Sequence, residues 1–170
     1  LIKEQQGCIR FMERPLSSRD RNRFASYVMQ NVDFQLFGCS VYDDLLLGSE
    51  RSPNIENRIH SILSLLGLSS LESQHPTTLS MGQKQRLVIA ASYLLNKRIN
   101  VFDEPTSGLD YGNMKNVCDL IESITGNENA SIVITHDYCN RVILLENGKI
   151  TRDFPLKDTT VLENIFKEKL

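Results

Sequence analysis

Two adjacent carboxylates are the most reactive feature of this 170-residue sequence. Asp103 and Glu104 follow the largely apolar run Ile99-Asn100-Val101-Phe102, which reads as a buried strand. Carboxylates at the C-terminal end of a parallel strand stand where open α/β sheets bind their ligands. Successive side chains at a strand end point in different directions, so the two can take different roles. One can hold Mg²⁺, usually through water, and the other can polarise an attacking water. A solvated strand-to-loop junction is the plain alternative, and for a lone Asp-Glu pair it is the default.

Three further places can handle an anion or a proton. Leu79-Ser80-Met81-Gly82-Gln83 opens a helix with small or flexible residues, and a helix N-terminus with a close-approach Gly is a ready anion site. The plain alternative there is a well-capped helix. His136 follows the apolar run Ile132-Val133-Ile134, where its ring could hydrogen-bond a phosphate, although a lone His is more often incidental. Gln30, at the end of the Tyr27-Val28-Met29 run, is unremarkable by itself.

The elements that must position these residues can be read from spacing. Gly7–Met12 and Phe24–Met29 are short apolar-rich runs, expected as strands separated by the charged stretch Ser17–Arg23. Ser40 opens a helix ending at Leu45–Leu47, with Asp43 as its capping-box partner. Pro53-Asn54 starts another, in which Ile55, Ile59, Ile62 and Leu66 recur at helical spacing until Gly67. A third begins after Ser80, capped with Gln83, and buries Leu87, Ala90, Ala91, Leu94 and Leu95. From Ile99 the order is strand, helix (Met114–Ile124, with Met114, Val117, Ile121 and Ile124 inward) and a second buried strand at Ile132–Ile134. That is a βαβ unit, and it predicts a parallel sheet with covered faces. Arg141–Glu146 and Lys149–Arg152 flank Asn147-Gly148, a strong hairpin signal. Thr160–Leu170 reads as an amphipathic helix.

Composition sets the outer bounds. The chain is one domain's worth, with 41% hydrophobic and 24% charged residues. Its formal net charge of −2 shows no basic excess, so no nucleic-acid partner is expected. The cysteines at 8, 39, 118 and 139 form no CxxC or Cys/His cluster and read as reduced, packed thiols of a cytosolic protein. Leu87–Leu95 is the longest nearly apolar stretch and is too short to span a bilayer. There is no apolar leader behind Leu1-Ile2-Lys3, so work at a membrane is expected to proceed by docking to another chain.

Taken in order, Gln30, Leu79-Ser80-Met81-Gly82-Gln83-Lys84-Gln85-Arg86, Asp103-Glu104-Pro105-Thr106-Ser107-Gly108-Leu109-Asp110 and His136 form a series that resembles the ABC-type ATPases. Their elements are the Q-loop, signature motif, Walker B, D-loop and H-loop in that order, and the likeness runs from about Gly7 to Arg152. The resemblance implies an α/β fold of the P-loop NTPase type, with a parallel-sheet core (about 1–39 and 96–170) and an inserted helical subdomain (about 40–95) carrying the signature. It implies ATP and Mg²⁺ as cofactors. Asp103 would bind the Mg²⁺ water shell and Glu104 would be the general base. Gln30 would contact the metal or the attacking water and sense the membrane partner, and His136 would hold the γ-phosphate. Ser80, Gly82 and Gln83 would face ATP bound to a second ABC ATPase subunit, with Asp110 at the seam of that dimer. The remaining partner would be an integral-membrane transporter subunit, placing the protein peripherally on the cytoplasmic face of the membrane.

The sequence departs from the family at three points. No G-x-x-x-x-G-K-[ST] occurs, and in the family that phosphate-binding loop lies upstream of the position of Leu1, so a missing N-terminal segment is expected. Met81 stands where the signature usually has its first Gly. Asn100 interrupts the apolar strand before Asp103, without an account in the sequence. Gln30–Phe37 followed by Ser40–Asp44 is similar to the ATPases of energy-coupling-factor and cobalt importers, which take up B vitamins or transition-metal ions. Two rivals compete with a transport ATPase. A soluble ABC ATPase of the translation type usually reads Asn-His where this chain has Ser107-Gly108, and a repair type would carry heptad runs, which are absent. A catalytically inactive ABC-like interaction module is the other rival.

The 170 residues by themselves are expected to show no ATPase activity and at best weak nucleotide affinity, because the backbone cradle for the β- and γ-phosphates is not among them. Calorimetric titration with ATP checks this, and tight binding would contradict it.

Overall fold

In the computed structural model, which describes residues 6–11, 13–49, 52–126, 128–135 and 141–155, the first element is a small antiparallel pair, β1 (Arg10–Phe11) and β2 (Arg14–Pro15). The charged stretch after it is a helix rather than a connector, α1 (Ser18–Phe24). Its start is fixed by a reciprocal cap: Ser17 Oγ accepts from the Asp20 N–H, and the Asp20 carboxylate accepts from the Ser17 N–H at 3.2 Å. With almost no apolar residues in it, α1 leaves no periodic trace in the sequence; Phe24 packs its ring 5.0 Å from that of Phe11.

The site depends on a three-stranded parallel sheet in the order β3 (Ala25–Val28), β4 (Ile99–Asp103), β5 (Ala130–Ile134). The register pairs Val28 with Phe102, and Phe102 with Val133, while Asp103 is the last paired residue of β4, opposite Ile134. One face is covered and carries Val28, Phe102 and Asn100, all essentially without solvent contact. The other carries Tyr27, Val101, Asp103, Ile132 and Ile134, of which Ile132 and Ile134 are about half exposed. The expectation of a sheet covered on both faces, with a buried strand at Ile132–Ile134, therefore holds for one face only among the described residues. Alternation along β5 is the reason, since Val133 packs inward and its neighbours turn outward.

Between residues 40 and 80 the described chain is helical. α2 (Val41–Gly48) is capped by Ser40, whose Oγ accepts from the Asp43 N–H at 3.0 Å. The expected reciprocal bond from Asp43 is not made; the neighbouring Asp44 turns back instead and its Oδ1 accepts from the Phe37 and Gly38 N–H groups, each at 2.8 Å. α3 (Ile55–Leu65) buries Ile59, Ile62 and Leu63 and stops at Gly67, as its spacing predicts. α4 (Met81–Leu95) is buried almost all round, taking Gln85, Arg86, Val88, Ile89 and Ser92 inward besides Leu87, Ala90 and Leu94. Leu87, Ile89 and Leu94 are fully covered, each contributing about 1.5–3 kcal/mol of apolar burial. α5 (Tyr111–Ile124) presents Val117, Leu120, Ile121 and Ile124 to the same core. No described helix is long and apolar enough to cross a membrane.

These elements belong to a unit within Leu1–Ile134; a second lies within Thr135–Leu170. The second contains the hairpin β6 (Arg141–Glu146) and β7 (Lys149–Pro155), closed by Asn147-Gly148 with both residues at positive φ (50° and 73°), the conformation a two-residue turn requires. Arg141 and Asp153 pair across it at 2.7 Å. The helix expected at Thr160–Leu170 lies outside the described residues. The cysteines are not packed as expected: Cys8, Cys39 and Cys118 are exposed, and Cys139 lies outside the described residues.

The structure accounts for Asn100. Its side chain accepts from Ser26 Oγ at 2.7 Å, Ser26 Oγ lies 2.9 Å from Ser92 Oγ, and the Asn100 amide donates to the Lys97 carbonyl at 3.2 Å. One buried amide thus ties β3, β4 and α4 together. Asn100→Leu is expected to cost about 1–3 kcal/mol, because it strands buried hydroxyls, and adding Ser26→Ala and Ser92→Ala should recover part of that loss. Urea denaturation midpoints check both; an unchanged midpoint in the single variant would contradict the role.

Candidate functional site

Asp103 and Glu104 emerge together at the C-terminal edge of the sheet, both half-buried. Asp103 keeps strand geometry and lies on the same face as Tyr27, whose hydroxyl donates to Asp103 Oδ2 at 2.9 Å. That bond, with partial burial and the carboxylate charge behind it, raises the pKa of the Tyr27 phenol. Glu104 breaks from the strand at φ +50°, a left-handed conformation that costs a non-glycine residue energy. Its backbone is held there from three sides. The N–H donates to the Ile134 carbonyl at 2.8 Å, and the carbonyl accepts from the Ser107 N–H at 3.2 Å and from Gln85 Nε2 at 3.5 Å. The strained turn redirects the Glu104 side chain relative to Asp103.

Gln30 lies two residues beyond β3 at the same edge of the sheet, exposed, and among the described residues no side-chain contact joins it to either carboxylate. The segment that carries it is closed by Gln35. That side-chain amide acts as a substitute strand partner, its Oε1 accepting from the Met29 N–H and its Nε2 donating to the Tyr27 carbonyl, both at 2.7 Å. Asp33, inside the same turn, pairs with Lys84 of α4 at 2.7 Å. His136 lies outside the described residues; β5, which precedes it, ends opposite Asp103.

Ser80, Gly82 and Gln83 share the first turn of α4. Ser80 Oγ accepts from the Gln83 N–H at 3.4 Å and Gln83 Oε1 accepts from the Ser80 N–H at 2.8 Å, the reciprocal cap that the spacing predicts. With the Lys84 N–H donated to the Ser80 carbonyl, the N–H groups of Met81 and Gly82 are left to meet an external anion. Gly82 also permits a close approach, since a Cβ there would stand 3.1 Å from Leu109 Cδ2. Met81 is exposed. Asp110, just beyond Leu109, is the N-cap of α5: Oδ1 accepts from the Asn113 N–H at 2.9 Å, and the Asn113 amide donates to Oδ2. These bonds, helped by the Arg86 guanidinium, hold its carboxyl below the usual range.

The candidate residues therefore fall into two groups, the carboxylates at the sheet edge and the α4 terminus against the turn leading to Asp110. Gln85 joins them, donating from the buried side of α4 to the Glu104 carbonyl. Tyr27, Gln35 and Gln85 were not visible as functional from the sequence; each depends on register, which spacing alone does not reveal. An open groove of about 480 Å³ between α3, α4 and α5, lined by Arg58 and Tyr93 among others, includes none of the candidates.

Comparison with known proteins bears on the family and the fold. Residues 1–107 match the family described as ABC transporter. A Treponema denticola protein named an ABC transporter ATP-binding protein is 63% identical over 100% of this chain and 36% of its own length. The Bacillus subtilis protein named HMP/thiamine import ATP-binding protein YkoD is 30% identical over 90% of this chain and 30% of its own length. This chain thus spans about a third of the curated relatives it matches. The solved structure of cbiO1 from Clostridium perfringens, described as part of the ABC transporter complex cbiONQ, superposes with a TM-score of 0.75 at 28% identity, covering 99% of this chain and 71% of that one.

The depressed carboxyl of Asp110 carries a pH dependence. Its folded-state pKa lies below its unfolded value, so the cap stabilises above the unfolded pKa and is lost as pH falls through the folded one. Asp110→Asn keeps a capping oxygen without the titration. Between about pH 5 and about pH 3 the melting temperature of the native protein is expected to fall further than that of the variant; equal falls would contradict the assignment.

Proposed function

The chain belongs to the ABC transporter family as an ATP-binding domain, and from that premise we propose that it binds and hydrolyses ATP to drive uptake of a small solute, a vitamin or a metal ion, through a membrane partner. The observation that carries the proposal is the pair Asp103 and Glu104 at the C-terminal edge of the parallel sheet, divided by the left-handed turn at Glu104. The likeness to YkoD, by name an HMP/thiamine import ATP-binding protein, supports import as the direction, and the likeness to cbiO1, part of the ABC transporter complex cbiONQ, supports work within such a complex.

The residues fit Mg²⁺ and a nucleotide. A metal here would rely on Asp103 with phosphate and water oxygens, the manner in which Mg²⁺ is usually held. When bound, Mg²⁺ neutralises charge on the phosphates. Asp103 would hold its water shell through a half-buried carboxylate oriented by Tyr27. Glu104 would accept the proton of the attacking water, its side chain turned off the strand axis. Gln30 would orient that water or contact the metal, and His136 would hold the γ-phosphate. Ser80, Gly82 and Gln83 would offer the α4 terminus to ATP on a second ABC ATPase subunit, with Asp110 beside that interface. No nucleic acid takes part.

Phe34 and Phe37, shortly after Gln30, are 70% and 78% exposed, and Leu47 in α2 is 70% exposed. Exposed apolar side chains there support docking of an integral-membrane transporter subunit, and with it a peripheral position on the cytoplasmic face.

In the full-length protein Glu104→Gln is expected to lower turnover at least ~10²-fold with ATP affinity retained, since the amide keeps the shape but cannot accept the proton. Phosphate release and equilibrium ATP binding, measured side by side, check this; near-native turnover would move the base elsewhere.

A further inference from the structure

Tyr27 stands on the less covered face of the sheet, paired in register with Val101, and Asp103 lies two residues further along β4 on that same face. A tyrosine is long enough to reach such a diagonal neighbour, and its hydroxyl donates to Asp103 Oδ2 at 2.9 Å. The residue is 41% exposed, so the side chain is not held there by full burial. Its backbone is fixed instead. The Tyr27 carbonyl accepts from Gln35 Nε2, and the strand is pinned by the neighbouring Ser26 through its bond to Asn100. The phenol thus has a rigid mount, and it selects one of the two carboxylate oxygens.

We propose that Tyr27 is a positioning residue for the metal site: it fixes the Asp103 carboxylate through Oδ2 and leaves Oδ1 directed to the water shell of a divalent cation. This rests on the reading of Asp103 as the residue that holds Mg²⁺. A carboxylate without its outer partner samples several rotamers and loses affinity as a result, and loss of such partners typically weakens metal binding about 10- to 100-fold. Tyr27→Phe removes the hydroxyl alone and keeps the ring.

The test is made on the full-length protein with Mn²⁺ as the probe, free Mn²⁺ being read by electron paramagnetic resonance at saturating ATP. ATP binding in EDTA is measured in parallel. Tyr27→Phe is expected to raise the Mn²⁺ dissociation constant about tenfold while metal-free ATP binding is unchanged. In the Asp103→Asn background the same substitution should add no further loss. Weakening by Asp103→Asn but not by Tyr27→Phe would overturn the positioning role and leave the metal assignment standing. No weakening by Asp103→Asn would overturn both. Equal loss of ATP binding in EDTA and of Mn²⁺ binding would show that Tyr27 serves the fold rather than the metal.

Discussion

Parallel pairing of β4 between β3 and β5 is the constraint on which the site depends. Because Asp103 is the last paired residue, the strand delivers one carboxylate in extended geometry and releases the next into a turn. A register shift of one residue would send Asp103 to the covered face and Asn100 away from its partners. The buried contact among Ser26, Asn100 and Ser92 opposes that shift, since each polar group would then be stranded without a partner. Stability and the placement of the carboxylates are thus set by the same contact.

α4 carries that constraint to the second group of residues. Its buried side supplies Ser92 to the sheet and Gln85 to the Glu104 carbonyl. Its N-terminus packs Gly82 against Leu109, and Lys84 reaches Asp33 in the turn after Gln30. A displacement of this helix would be felt at the Glu104 turn, at the turn carrying Gln30 and at the segment leading to Asp110. The helix behaves as a rigid part because it is packed on nearly every side.

Much of this was legible in the sequence wherever apolar spacing met a clear stop or cap. α3 follows its Ile and Leu periodicity to Gly67, α4 starts at the Ser80–Gln83 box, and Asn147-Gly148 closes the hairpin. The carboxylate pair was also legible, through the order of the motifs around it rather than by itself, since a solvated strand-to-loop junction is the default for a lone Asp-Glu pair. What escaped has a common cause. α1 is set by a polar cap with little apolar pattern, and Asp44 rather than Asp43 binds the backbone because loop geometry, not spacing, decides which carboxylate turns inward. Tyr27, Gln35 and Asn100 act across strands or back along a loop, so their roles exist only once register is known.

The most direct test of the account uses the metal itself as a probe. With Fe²⁺ in place of Mg²⁺ and ATP bound to the full-length protein, ascorbate and peroxide cut the backbone close to the ion. The expected cuts fall at the end of β4 around Asp103 and Glu104 and just beyond β3 near Gln30, and they require ATP. Cuts confined to other places, such as the groove between α3, α4 and α5, or cuts at the sheet edge that do not depend on nucleotide, would contradict it.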